Sequence, residues 1–216
     1  MNIAENISRI IKEIPPSVQL VAVSKTKSNE EVMQAYDAGQ RIFGENKIQD
    51  MNLKHEELPK DIQWHMIGHV QSNKVKYMAP YVSLIHGVDS LKLLKEINKQ
   101  ANKNNRVIPC LLQIHIAEED SKFGLSTEES QEIIKLSKDL RSVKIKGLMG
   151  MASFTKKENQ VAKEFLGLKS LYDKFIQQNI PLEILSMGMS GDYPIAIQKG
   201  SNMIRVGSQI FGTRNY

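Results

Sequence analysis

QLVAVSKTKSNEEVMQAYDAG, residues 19–39, contains one complete strand-and-helix unit. Its first part is short, valine-rich and closed by polar residues, the pattern of a strand buried on both faces. Its second part brings Val32, Ala35 and Tyr36 to one helical face, with Glu30 and Glu31 in the first turn and Gly39 as the stop. Seven further apolar runs repeat the strand signal: RIFGEN (41–46), IQWHMIG (62–68), VSLIHGVD (82–89), VIPCLLQIHI (107–116), VKIKGLMGMA (143–152), LEILSMGMS (182–190) and MIRVGSQIFG (203–212).

Between the runs the period is helical. LKLLKEINKQANK (91–103) and STEESQEIIKLSKDL (126–140) are amphipathic, and the second opens with Ser126 and Glu129 as a capping-box pair. VAKEFLGLKSLYDKF (161–175) sets Phe165, Leu168, Tyr172 and Phe175 in one stripe, which reads as a core-facing helix. Alternating strands and helices imply parallel strands joined by crossovers. Open doubly wound sheets usually stop at five or six strands, so eight units predict an α/β fold closed as a (β/α)8 TIM barrel. A helix over residues 2–14 precedes the first strand, and YPIAIQKG (193–200) is a short helix between the last two. A barrel of 216 residues is near the lower size limit, which predicts a single domain over 1–216 with no C-terminal β domain.

Composition narrows the function classes. A chain of this mass should bury roughly 70% of its unfolded surface, enough for one sizeable core. The single Cys110 leaves no disulfide framework or thiolate-rich zinc site and fits a reducing, cytoplasmic setting. No long uncharged apolar run predicts a membrane span, and MNIAENISRIIKEIPP does not read as a signal peptide. The formal charge of +5 comes from 23 scattered lysines and 6 arginines with only 6% aromatic residues. A nucleic-acid surface would show a basic stripe interleaved with stacking rings, so the charge reads as a solvated surface.

In such a barrel, chemistry sits at the C-terminal ends of the strands. Alternation along QLVAVSK puts Val21, Val23 and Lys25 on one face and Leu20, Ala22 and Ser24 on the other. With the valines inward, Lys25 stands at the barrel mouth, where desolvation favours the neutral amine that attacks carbonyls. A lysine snorkelling at a strand end is the alternative. SMGMSGD after the seventh strand and RVGSQIFG after the eighth offer the Ser190 hydroxyl, Gly207 and Ser208 where barrels commonly cradle phosphate. Arg205 shares a face with Met203 inside an apolar strand, which calls for either a ligand or a carboxylate partner.

These features resemble fold-type III pyridoxal phosphate proteins. The chain is most similar to the pyridoxal phosphate homeostasis proteins (the YggS/PROSC family), which are related to the N-terminal domain of alanine racemase. The likeness rests on AVSKTKS (22–28), FGENKIQD (43–50), WHMIGHVQSNK (64–74), HGVDS (86–90), EDSKFGL (119–125), KGLMGM (146–151), LSMGMSGDYPIAI (185–197) and IRVGSQIFGTRNY (204–216). It implies that Lys25 carries pyridoxal 5'-phosphate as an internal aldimine. It also implies that Ser190, with the Gly207 and Ser208 backbone and Met189 alongside, holds the phosphate. Arg205 would face the pyridine nitrogen, where a permanently protonated guanidinium keeps that nitrogen unprotonated and weakens the ring as an electron sink. Asn46, His65 and Lys122 match positions that line the family's pocket. Three positions depart from the family pattern: Lys47 replaces an aromatic residue, His115 an asparagine, and His69 a small residue or proline.

The racemases take a second acid–base tyrosine from an added β domain of a partner subunit, for which this chain has no counterpart. The expectation is a monomeric carrier that buffers the cofactor without efficient turnover, possible recipients being apo-enzymes that need it. The competing readings are a slow amino-acid racemase or isomerase, and a sugar-phosphate barrel enzyme using Lys25 on its substrate.

Overall fold

The run that begins at Gln19 contains a strand, and so does each of the seven that follow. In the computed structural model, which describes residues 2–118 and 123–212, the strands are β1 (Gln19–Val23), β2 (Ile42–Glu45), β3 (Gln63–Met66) and β4 (Leu84–Val88), then β5 (Ile108–Gln113), β6 (Val143–Met149), β7 (Ile184–Met189) and β8 (Met203–Val206). All neighbours pair in parallel in sequence order, and β8 returns to β1 with Val21 opposite Arg205 to close an eight-stranded barrel. Around it lie α1 (Ile3–Glu13), α2 (Asn29–Asp37), α3 (Ile48–Glu57), α4 (Val75–Met78), α5 (Leu91–Lys103), α6 (Thr127–Leu136), α7 (Glu158–Gln177), α8 (Tyr193–Gln198) and α9 (Ser208–Phe211).

Local chemistry sets the helix boundaries. Ser28 and Ser126 cap α2 and α6 as full capping boxes with Glu31 and Glu129, and Ser90 caps α5 through the Leu93 amide. The run 203–212 departs from its strand reading after Val206. Gly207 turns the chain and Ser208–Phe211 form a short helix, so the apolar residues Ile210 and Phe211 are buried by a helical turn instead of a ladder. Among the described residues, no helix is long and apolar enough to cross a membrane.

Alternation divides the core in two. Leu20, Ala22, Phe43, Trp64, Ile85, Leu148 and Ile204 face outward and pack under the helices. Val21, Leu84, Leu111, Met149 and Met203 face inward and form a separate plug, with Ile42 and Ile184 against it. Parallel strands covered on both faces must be apolar on both faces. Polar residues on the inward face therefore stand out.

Candidate functional site

Closure of β1 on β8 makes the end of the first strand and the turn after the last one neighbours. Lys25 is half-buried at the first of these, two residues beyond Val23 on the face that Val21 turns inward. Gly207 stands at the second, and a Cβ there would meet the Val23 Cβ and carbonyl oxygen at 3.3 Å. Glycine thus lets the β8 turn approach the residue pair that presents Lys25. The Gly207 amide donates to Ser190 Oγ at 3.1 Å, and Gln209 Nε2 donates to the Ser190 carbonyl at 2.6 Å. The loop after β7 is shaped by Asp192, whose Oδ1 accepts from the Met189 amide at 2.6 Å, and by Gly188 at φ 96°, where a Cβ would strike Ala196 Cβ at 2.6 Å. Ser190, Gly207 and Ser208 therefore meet at one edge of the mouth, with Met189 beside them.

The backbone around Lys25 is held from behind. Ser24 Oγ donates to Glu45 Oε1 at 2.6 Å, and Lys54 Nζ from α3 donates to the same oxygen at 2.7 Å and to the Ser24 carbonyl at 2.8 Å. This buried trio ties the residue before Lys25 to the residue before Asn46. Burial raises the Glu45 carboxyl above its ordinary range, and Lys54 opposes that rise. Immediately after Lys25, Thr26 adopts φ 65°, a left-handed conformation in which a β-branched residue is an outlier. Lys27 then bridges across the mouth, donating to the Phe211 carbonyl at 2.9 Å and pairing with Glu31 at 3.1 Å.

Arg205 points inward, as its parity with Met203 predicts, and is buried. Its guanidinium donates to Ser186 Oγ at 2.6 Å, to the Ser186 carbonyl at 3.0 Å and to the Gly150 carbonyl at 3.1 Å. Among the described residues no carboxylate forms an ion pair with it, and Asp192 acts on it only coulombically. Of the two readings of its sequence context, the carboxylate partner is thus absent among the described residues. Burial pulls Arg205 down to about 10, which leaves it charged at neutral pH. A buried cation held by neutral oxygens biases this cavity toward an anion.

His65 on β3 is buried, and its Nδ1 lies 3.1 Å from His86 Nε2; His86 Nδ1 lies 3.2 Å from Ser186 Oγ. Burial lowers His65 to about 3, and burial together with His65 and Arg205 holds His86 well below its ordinary range, so both rings are neutral. Asn46 is half-buried after β2. Lys122 lies outside the described residues. Of the departures from the family pattern, Lys47 is exposed and leads into α3, and His115 is half-buried beyond β5. His69 pairs with Asp89 at 3.0 Å and stacks on Phe123 at 4.3 Å on the rim. Cys110 is buried on the outward face of β5, its thiol pushed up by burial. Among the described residues, no cluster of His, Cys, Asp or Glu is arranged to hold a metal ion.

Sequence reasoning had no role for Glu45, Lys54, His86 or Ser186. For two of them a signal existed: His86 shares parity with Leu84, and Ser186 with Ile184, both inward residues. A hollow of about 420 Å3 opens at the other end of the barrel, lined by Ile11, Ile14, Val18, Leu20 and Ile42 among others. It offers no lysine or carboxylate and lies away from these groups.

Comparison with known proteins places this geometry in context. The family model for the alanine racemase N-terminal domain matches residues 1–215. The chain is 35% identical to the pyridoxal phosphate homeostasis protein of Aquifex aeolicus, the match covering 100% of both chains. It is 40% identical to the protein of that name from Synechocystis, over 96% of each. Among solved structures it is similar to PipY of Synechococcus elongatus with pyridoxal phosphate bound, at a TM-score of 0.90 and 35% identity, covering 97% of this chain and 100% of that one. An alanine racemase of Clostridium difficile superposes with a TM-score of 0.82 at 16% identity; this chain covers 57% of it, and the likeness is one of fold alone.

Proposed function

We propose, from the premise that the chain belongs to the alanine racemase N-terminal domain family and within it to the pyridoxal phosphate homeostasis proteins, that it binds pyridoxal 5'-phosphate at the barrel mouth and holds it for delivery. The observation that carries this reading is the meeting of Lys25, the Ser190–Gly207 turn and the buried Arg205 at one edge of the barrel, on adjacent strands. The residues fit the group. A serine hydroxyl and backbone amides suit a phosphate, a half-buried amine suits an aldehyde, and a buried uncompensated cation suits an anionic ring system.

The cofactor supplies an aldehyde that condenses with primary amines. Lys25 provides that amine through Nζ, while Ser24, Glu45 and Lys54 fix where it starts. Ser190 with the Gly207 and Ser208 backbone takes the phosphate, and Met189 flanks it. Arg205 keeps a full positive charge at the ring edge. Asn46 and His65 complete the pocket wall among the described residues.

Holding rather than turnover is supported by the names of the full-length relatives and by His65. At neutral pH its ring is uncharged and lacks the imidazolium proton that a general acid gives, and its Nδ1 is already engaged by His86. The lone buried thiol of Cys110 fits a cytoplasmic carrier, which we expect to act as a monomer. A reactive aldehyde left free condenses with any amine, so the recipients we expect are apo-enzymes that need it. The test mixes protein loaded with the cofactor and such an apo-enzyme. Recovery of the acceptor's activity with loss of the donor's near-visible absorbance supports delivery. A donor that keeps its cofactor, or that racemises amino acids on chiral analysis at an enzyme's rate, would replace it with the storage or racemase reading.

A further inference from the structure

Four polar side chains from four strands form one line across the barrel interior: Arg205 on β8, Ser186 on β7, His86 on β4 and His65 on β3. Its polarity can be worked out from one end. A guanidinium only donates, so at 2.6 Å Ser186 Oγ accepts from Arg205. Ser186 is fully buried, and among the described residues the acceptor its single proton reaches is His86 Nδ1, at 3.2 Å. His86 therefore carries its own proton on Nε2 and donates it to His65 Nδ1 at 3.1 Å. His65 is left with its proton on Nε2. The opposite polarity would have His86 donate to Ser186, stranding the serine proton in a buried layer, which is costly.

We propose that Ser186 and His86 are positioning residues that lock His65 as a neutral Nε2–H donor and Arg205 in a fixed orientation, so that the pocket selects an occupant with an acceptor edge toward His65. The chain is one-directional because only its first member is permanently charged. A second proton on either ring would place a cation beside Arg205 or beside the other histidine, with no carboxylate among the described residues in ion-pair contact to offset it. The proposal rests on the cofactor-binding reading for the identity of the occupant, but the proton order does not depend on it.

The test is nitrogen NMR on the full chain labelled at its histidines, without added cofactor, with His65→Phe and His86→Phe used for assignment. The expected result is that His65 and His86 both give the neutral Nε2–H pattern. Ser186→Ala should shift both toward a mixture with the Nδ1–H form, and Ser186→Thr, which keeps the hydroxyl, should restore it. Finding His65 as the Nδ1–H form, or both rings unmoved in Ser186→Ala, overturns the proposal. If Ser186→Ala does not fold, the tautomers of the native chain alone decide. Pyridoxal phosphate titration then tests the consequence: about ten-fold weaker binding in Ser186→Ala, restored in Ser186→Thr. Equal binding in native and alanine variants overturns the positioning role, whereas no binding by the native chain overturns the cofactor reading and leaves the proton order standing.

Discussion

The ammonium of Lys54 and the carboxylate of Glu45 meet at 2.7 Å in the layer between barrel and helices, their side chains only 9% and 0% exposed. Glu45 Oε1 also takes the Ser24 hydroxyl, while its second oxygen is buried without a partner. A pair this buried is weak evidence of stability, because desolvation offsets much of the attraction, but removing one partner is severe. Lys54→Met is expected to lose about 3–5 kcal/mol in urea unfolding. The double variant Glu45→Leu with Lys54→Met should recover most of that. If the trio serves the site, the double variant, though stable, will bind cofactor more weakly than the native chain, because Ser24 and the Lys25 backbone are no longer tied.

Thr26 carries strain directly beside Lys25. At φ 65° a β-branched residue costs about 1–2 kcal/mol, part of which glycine returns as chain entropy. Thr26→Gly is therefore expected to raise stability by up to about 1 kcal/mol. A fall in thermal or urea stability would show that the Thr26 side chain has an offsetting role.

The phosphate edge separates two ligands. Ser190→Ala removes the hydroxyl facing the Gly207 amide. Hydrogen bonds to charged groups are worth about 1.5–3 kcal/mol, so affinity for pyridoxal phosphate should fall roughly ten- to hundred-fold. Affinity for unphosphorylated pyridoxal should barely change. An equal loss for both ligands in equilibrium titration would place the phosphate elsewhere.

Acid should act through the buried histidines. The folded pKa of His65, about 3, lies below its ordinary 6.5, so the unfolded chain takes up a proton that the folded chain refuses. Stability from this group is complete above pH 6.5 and is lost as pH falls toward 3, with about 2 kcal/mol gone by pH 5. His86 shifts in the same direction, whereas Glu45, whose folded value is raised, contributes oppositely and most strongly as pH falls toward 4.5. Urea unfolding at pH 7 and pH 5 should show a smaller acid loss in His65→Gln than in the native chain. An identical loss would mean that His65 is protonated in the fold.

Much of the arrangement was legible in the chain because strands alternate. Val21 and Met203 are inward in the structure as their parity requires, and Arg205 is carried inward with them. Ser126 and Gly39 likewise marked helix ends through purely local chemistry. The remainder depends on contacts that local pattern does not encode. Glu45 shares its face with Phe43, so it leaves the barrel and finds Lys54 only when α3 packs down. His86 and Ser186 are 100 residues apart and meet only across the closed barrel. The end of the chain misleads locally: Ile210 and Phe211 continue an apolar run, yet Gly207 breaks the ladder and a helical turn buries them. Nothing in TKS (26–28) announces a left-handed threonine, since that conformation is imposed by the turn that Ser24 and Lys27 close.

The most direct measurement is the near-visible absorbance of the purified chain mixed with pyridoxal phosphate, native beside Lys25→Ala, followed by borohydride reduction and peptide mass mapping. The native chain should develop the band of a lysine-bound cofactor and carry the reduced adduct on Lys25, while Lys25→Ala should do neither. A native chain that stays colourless, or an adduct mapped to another lysine such as Lys27 or Lys47, would contradict the assignment of this barrel mouth.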